Sequence, residues 1–271
     1  MNKSKSRLNL VEFSRQLIIT EDLDPLYIAL WKAKLTKGQL CRWLVTYWCY
    51  YHAGLCCWAS EHGEWDTLDK IARGGTDYPR GTERRHFRGD LAIKAVAKLR
   101  GQFSCAEEMV DWIAAGGPRA VGVMNRVKSL YGFGEWIAGK VPDMLERLGL
   151  AKIKFVEDDV DYMFSSPKKG AEEVYARRHA GDSDGNEHQR LLWSHRYLIR
   201  HLSDLKAPPQ YERGINVQET ETCFCKVYAH WNGHYPIGKD SHEIRLGLLR
   251  YGQWATSRKL LKGLPTMQGG A

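Results

Sequence analysis

No apolar run in the 271-residue sequence approaches the roughly 20 residues that span a bilayer, and mean hydropathy is −0.47. A membrane-spanning protein is therefore not expected. The first stretch, MNKSKSRLNLVEFSRQ, is basic but has no apolar segment of the kind a secretory signal carries, so a cytosolic setting is expected. The seven cysteines, at 41, 49, 56, 57, 105, 223 and 225, are odd in number, which argues against a disulfide framework. The spacing of four close cysteines that holds an iron–sulfur cluster is missing. So is the C-x2–4-C pair of a zinc site: Cys223 and Cys225 would point to nearly opposite sides of a helix, which weighs against zinc on Cys223, Cys225, His230 and His234. The sequence also lacks an internal repeat and any convincing set of alternating strands.

Acidic residues are in deficit. Forty Lys and Arg against 32 Asp and Glu leave a net charge of +8, and the pI is near 9.1. That surplus suits an anionic partner, most commonly nucleic acid. With 43% apolar and 27% charged residues, wholesale disorder is excluded. Ten Trp, 13 Tyr and 7 Phe are enough both to fill a helical core and to stack on unpaired bases.

The helical period dominates, so the expected fold class is mainly α. Helices are expected over 9–19, 25–34 and 65–73, and a long one over Lys37–Glu61, capped by Thr36, whose apolar middle (LVTYWCYYHAGLCCWA) should be buried. Residues 74–90 are rich in Gly and Pro turn signals and carry Arg80, Arg84, Arg85 and Arg88, with Arg84 and Arg88 at the spacing of one helical face. A helix from Leu91 follows. Ser104 and Glu107 have capping-box spacing, and Pro118 suits the first turn of a helix ending near Leu130. Further on, helices are expected over 171–180, 187–205 and 220–228, with a last one over 241–251. Between them lie the polar loop GDSDGNE, the linker-like KAPPQYERGIN and the turn-rich HWNGHYPIGKD; the tail GLPTMQGGA should be frayed.

The most specific local feature is RVKSLYGFGEWIAGKVPDML. Gly132 and Gly134 turn the chain between two helices, and Leu130, Phe133 and Ala138 are spaced to pack those helices together. Pro142 requires a kink or a late helix start. Backbone N–H groups at the start of the second helix would face outward, a geometry that suits phosphate; an ordinary αα-corner with tight packing is the alternative.

LYGFGEWIA resembles the helix-hairpin-helix element of the DNA glycosylase superfamily, in which an Asp follows the hairpin; here EDDVD offers Asp158, Asp159 and Asp161. The nucleophilic Lys of bifunctional glycosylases is not matched: Trp136 stands there, and Lys140 lies a turn later. Four blocks in one order, ERRHFRG, YGFGEWIAGKVPDM, EDDVD and CFCKVYAHWNGHYPIGKD, more narrowly resemble the phage amino acid:DNA transferases, also called α-glutamyl/putrescinyl thymine pyrophosphorylases. The blocks lie between Glu83 and Asp240.

The resemblance implies a single catalytic unit over 1–271 with two helical lobes around a DNA-facing cleft, the hairpin at about 118–148 and a C-terminal helical part at about 170–265. It implies that pyrophosphate on 5-(pyrophosphoryloxymethyl)deoxyuridine in double-stranded DNA is replaced by an amine, with glycine or serine the leading donors and polyamines also in the class. A monofunctional glycosylase is the alternative, and a DNA-binding protein without chemistry ranks third. In the transferase reading, Gly132, Gly134, Trp136 and Lys140 hold DNA, with Tyr131, Phe133 or Trp136 stacking on its bases. Arg84, Arg85 and Arg88 meet the pyrophosphate, and Asp158 or Asp159 takes the amine's proton. Lys226, Asn232, Lys239 and Asp240 hold the donor or the pyrimidine edge. No cofactor is required, although Mg²⁺ can act through phosphate oxygens; the setting is the cytoplasm of an infected bacterium.

Overall fold

A computed structural model describes residues 8–179 and 185–266. Most of GDSDGNE, the end of the tail and the basic first seven residues lie outside the described residues. The fold is mainly α, and among the described residues β structure is confined to two isolated bridges, Arg119 with Lys154 and Lys206 with Gly214. The helices are α1 (Leu10–Ile19), α2 (Pro25–Ala33), α3 (Lys37–Tyr50), α4 (Ala53–His62), α5 (Trp65–Arg73), α6 (Gly89–Gln102) and α7 (Ala106–Ala114). They continue with α8 (Ala120–Ser129), α9 (Glu135–Arg147), α10 (Ser165–Arg178), α11 (Glu187–His201), α12 (Val217–Trp231), α13 (Lys239–Leu249) and α14 (Ala255–Gly263). None is long and apolar enough to cross a membrane.

The chain forms two compact units, each discontinuous in sequence. The first joins the residues up to Pro25 with Phe155–Asp240. Its core is built by α1, α10, α11 and α12, with Phe13, Leu17, Leu191, Leu198, Phe224 and Val227 buried together. Gly170 on α10 lies against the backbone of Phe224 on α12, an approach that no side chain would allow. The KAPPQYERGIN stretch is not a solvated linker: Ala207, Pro208 and Pro209 are buried, and Arg213 forks onto the fully buried Glu219 at 2.9 and 3.0 Å. That pair also closes the start of α12, where Asn216 and Glu219 form a capping box.

The second unit comprises Leu26–Lys154 and Ser241–Thr266. The apolar stretch after Thr36 is buried as expected, with Trp43, Trp48 and Tyr50 inaccessible, and Thr36 and Gln39 close a capping box. The single long helix over Lys37–Glu61 is instead two. Tyr51 adopts a left-handed conformation (φ 53°) and His52 caps α4, accepting from Leu55 N at 3.1 Å. The carbonyl of Tyr50 accepts from Gly81 N at 2.9 Å. A tertiary bond thus replaces a helical one.

Three other local expectations shift. The cap of α7 is Cys105, whose Sγ accepts from Glu108 N, while Glu108 accepts from the backbone and hydroxyl of Ser104; the N-cap lies one residue later than Ser104, and Glu107 takes no part in it. Pro118 stands two residues ahead of α8 rather than in its first turn, and its carbonyl accepts from Lys154 N. The last helix is not the one near 241–251 but α14, packed on α4. All seven cysteines are thiols; burial pushes those of Cys49 and Cys57 up to about 12, so they are inert packing groups.

Candidate functional site

The hairpin lies in the second unit. Leu130, Phe133 and Ala138 are buried and seal α8 against α9, as the spacing predicts. Of the two glycines only Gly132 has a positive φ, 83°. A Cβ there would sit 3.0 Å from both Ala95 Cβ and the Phe87 ring. Gly134 is extended (φ −97°, ψ −174°), and a Cβ there would meet nothing within 4 Å. Gly134, exposed, is the N-cap of α9 and brings no side-chain cap to it. Lys128 pairs with Glu135 at 2.6 Å, and Lys98 lies over the exposed ring of Tyr131. Trp136 is half-buried, edge-on to Tyr51, and Lys140 is half-buried on α9. Pro142 is buried within α9, which runs through it.

The arginine segment runs beside this turn, but not on one helical face. Thr82–Arg84 is a single 3-10 turn, and Arg88 is extended, the N-cap of α6. Arg84 is 8% exposed. Its guanidinium donates to Cys49 O at 3.1 Å and, through both terminal nitrogens, to Gly132 O at 3.2 Å. It also packs over the rings of Phe87 and Phe133, and burial lowers its pKa. Arg80 likewise spends its donors on carbonyls, those of Phe87, Gly75, Tyr78 and Ile71. Arg85 and Arg88 are exposed; Arg85 donates to Thr82 O.

In the first unit, EDDVD forms a 3-10 turn, Glu157–Tyr162. Glu157 pairs with Arg196 at 2.7 Å, which holds its carboxyl below the usual range, and Asp161 meets His188 at 2.8 Å. Asp159 is buried and one carboxylate oxygen accepts from Val156 N at 2.8 Å, closing the turn. Asp158 is exposed.

The same unit draws two of the four late residues into one polar cluster. Lys226, 7% exposed, donates to Asp22 O at 2.6 Å and to the Tyr235 hydroxyl at 2.7 Å, and its Nζ is 2.6 Å from Asp240. The Tyr235 hydroxyl donates to Asp22 Oδ2 at 2.9 Å, and the same oxygen accepts from Gly238 N at 2.7 Å. Burial, then the charges of Asp240 and Asp22, raise the Tyr235 pKa far above its ordinary value, so it stays a neutral donor. Asn232 and Lys239 are turned to the loop itself, donating to Tyr228 O and His234 O. Asp22 and Tyr235 were not anticipated. Tyr235 stands inside the quoted block, and a buried ammonium demands acceptors, but nothing local marks Asp22, 204 residues away. Among the described residues no group of His, Cys, Asp and Glu is arranged to hold a metal ion. Cys223 is in the core, and His230 stacks on Phe13.

A hairpin whose second helix starts at an exposed glycine, an arginine segment behind it and an acidic turn after it, in one helical chain, is the combination that comparison with known proteins explains. A family profile for amino acid:DNA transferases matches residues 57–234, and the chain belongs to that family. It is therefore an enzyme, a transferase of phage DNA modification. Among its relatives, the glycinyltransferase of Pseudomonas phage PaMx11 is 34% identical over 98% of this chain and 99% of its own length. The putrescinyltransferase of Delftia phage PhiW-14 is 26% identical over 90% of this chain and 80% of its own.

Proposed function

We propose that this enzyme attaches glycine to a thymine-derived base in DNA. The observation that carries the donor is the match to the glycinyltransferase, which runs through nearly all of both chains and so includes the residues on either side of the family segment. The base is 5-(pyrophosphoryloxymethyl)deoxyuridine. The glycine nitrogen attacks the C5 methylene, the bond from that carbon to the pyrophosphate oxygen breaks, and pyrophosphate leaves with the electron pair. The ammonium of free glycine, next to its own carboxylate, is protonated at neutral pH, so a carboxylate must take a proton.

Asp158 is the better placed of the two aspartates for that step, because its side chain is exposed while Asp159 is buried and closes its own turn. The start of α9 and Lys140 hold the DNA backbone in the manner of helix-hairpin-helix glycosylases, and the reacting base leaves the stack. Arg85 and Arg88, both exposed, meet the pyrophosphate. Glycine is held beside the Lys226–Asp240 pair, where Asp240 is 36% exposed and Lys239 is its neighbour. The pyrophosphate's own oxygens can recruit Mg²⁺, and this reading needs no resident cofactor.

The test is to incubate the purified protein with DNA carrying the pyrophosphorylated base and, separately, glycine, serine or putrescine, then to analyse the digested nucleosides by mass spectrometry. Glycine should yield a glycine-substituted thymidine and one pyrophosphate per modified base, and the D158N variant should yield neither. Product with serine or putrescine alone would refute the donor. Abasic sites formed without any amine would mark a glycosylase instead.

A further inference from the structure

We infer that Arg84 is a positioning residue for DNA binding, acting through the hairpin turn, and not a ligand of the leaving group; this rests on the reading of the hairpin as the DNA-contacting element. The geometry is specific to one carbonyl. Both terminal nitrogens of Arg84 donate to Gly132 O at 3.2 Å, and the third nitrogen is anchored on Cys49 O at 3.1 Å. The guanidinium plane is held over Phe87 at 4.2 Å and Phe133 at 5.3 Å. Phe87 also closes on Gly132, where a Cβ would be 3.0 Å from its ring.

The Gly132 peptide is thus fixed with its carbonyl turned inward, and Phe133 N is spent on Leu130 O at 3.1 Å. The turn then runs into Gly134, the exposed N-cap from which α9 starts. Among the described residues no carboxylate meets the Arg84 guanidinium; its partners are carbonyls and aromatic faces. Its positive charge therefore remains behind the same turn and adds to the helix dipole there. A lysine at 84 keeps the charge but cannot fork onto Gly132 O while also reaching Cys49 O.

The experiment measures binding of plain duplex DNA by fluorescence anisotropy at one salt concentration, and steady-state kinetics, for the wild type, R84K and R84Q. Plain duplex keeps the outcome independent of the base and the donor. We expect Kd for duplex to rise about tenfold in R84Q and less in R84K, with the KM for the amine donor unchanged and kcat at saturating DNA nearly retained. An unchanged Kd with a collapsed kcat would instead place Arg84 on the leaving group and overturn the inference. A loss of active fraction with unchanged Kd in the folded remainder, or failure of both variants to fold, would mean a purely structural arginine and overturn it equally. Wild-type protein that binds no duplex would refute the hairpin reading itself, an outcome distinct from a wild type that binds and an R84Q that binds as well.

Discussion

A buried ammonium is tolerable only where acceptors and a counter-charge surround it, and Lys226 satisfies this with a carbonyl, a hydroxyl and Asp240. Removing the cation strands its acceptors. K226M should lower unfolding free energy by about 3 kcal/mol in urea titrations, somewhat less than a fully buried pair because the Asp240 side chain is 36% exposed. Y235F, which removes one hydroxyl that both donates and accepts, should cost about 1–2 kcal/mol. If K226M leaves the donor KM unchanged below its unfolding temperature, Lys226 serves the loop and not the substrate.

His195 supplies a pH dependence at the same scale. It is 3% exposed, its Nδ1 lies 2.8 Å from Thr220 Oγ1, and burial lowers its pKa from 6.5 to about 4, with Glu157 opposing the shift and Arg196 adding to it. Between those values the unfolded chain binds the proton and the folded protein does not, so stability is full above pH 6.5 and falls as the pH drops toward 4. The loss from this residue alone between pH 7 and pH 5 is about 2 kcal/mol. H195Q should remove that part of the dependence in urea unfolding at the two pH values; an unchanged pH profile would contradict it.

At the scale of the element, the type of every strongly periodic segment was legible, and so was the start that Thr36 caps, but not the starts capped by His52, Cys105 and Asn216. The break at Tyr51 was not, because Tyr-Tyr-His contains neither Gly nor Pro; it is made by the bond from Gly81 N to Tyr50 O, a contact some thirty residues away in sequence. The hairpin could be read because its glycines and apolar spacing are local, whereas the inward turn of Arg84 could not, since an arginine beside a glycine turn looks the same whether it faces solvent or a carbonyl. Glycines inside helices separate in the same way. On α10, Gly170 touches the Phe224 backbone, so G170A must push α10 and α12 apart and should cost about 2–3 kcal/mol. On α6, Gly101 has open space around its Cβ position, and G101A should gain about 0.5–1 kcal/mol. Paired thermal melts of the two variants check both signs.

The order of elements in the whole molecule was the least legible, because contact between distant segments leaves no periodic mark. Residues 155–240 belong to the first unit and interrupt the second, which resumes at Ser241. The resumption matters physically. On α14, Leu260 is fully buried, the Thr256 hydroxyl lies 3.5 Å from that of Ser60, Thr256 N donates to Glu61, and Gly263 lies against the backbone of Ala29. A fragment ending at Lys154 therefore leaves α4 and α2 without the helix that covers them, and their apolar surface faces water. Such a fragment, Leu26–Lys154, should show no cooperative thermal transition. A chain in which a flexible Gly/Ser linker joins Lys154 directly to Ser241 and continues to Thr266 restores α14 and should recover the transition by circular dichroism and calorimetry. Cooperative unfolding of the shorter fragment alone would show that α14 is an ornament on the second unit. Its absence from both would show that the second unit depends on the first for more than chain connection.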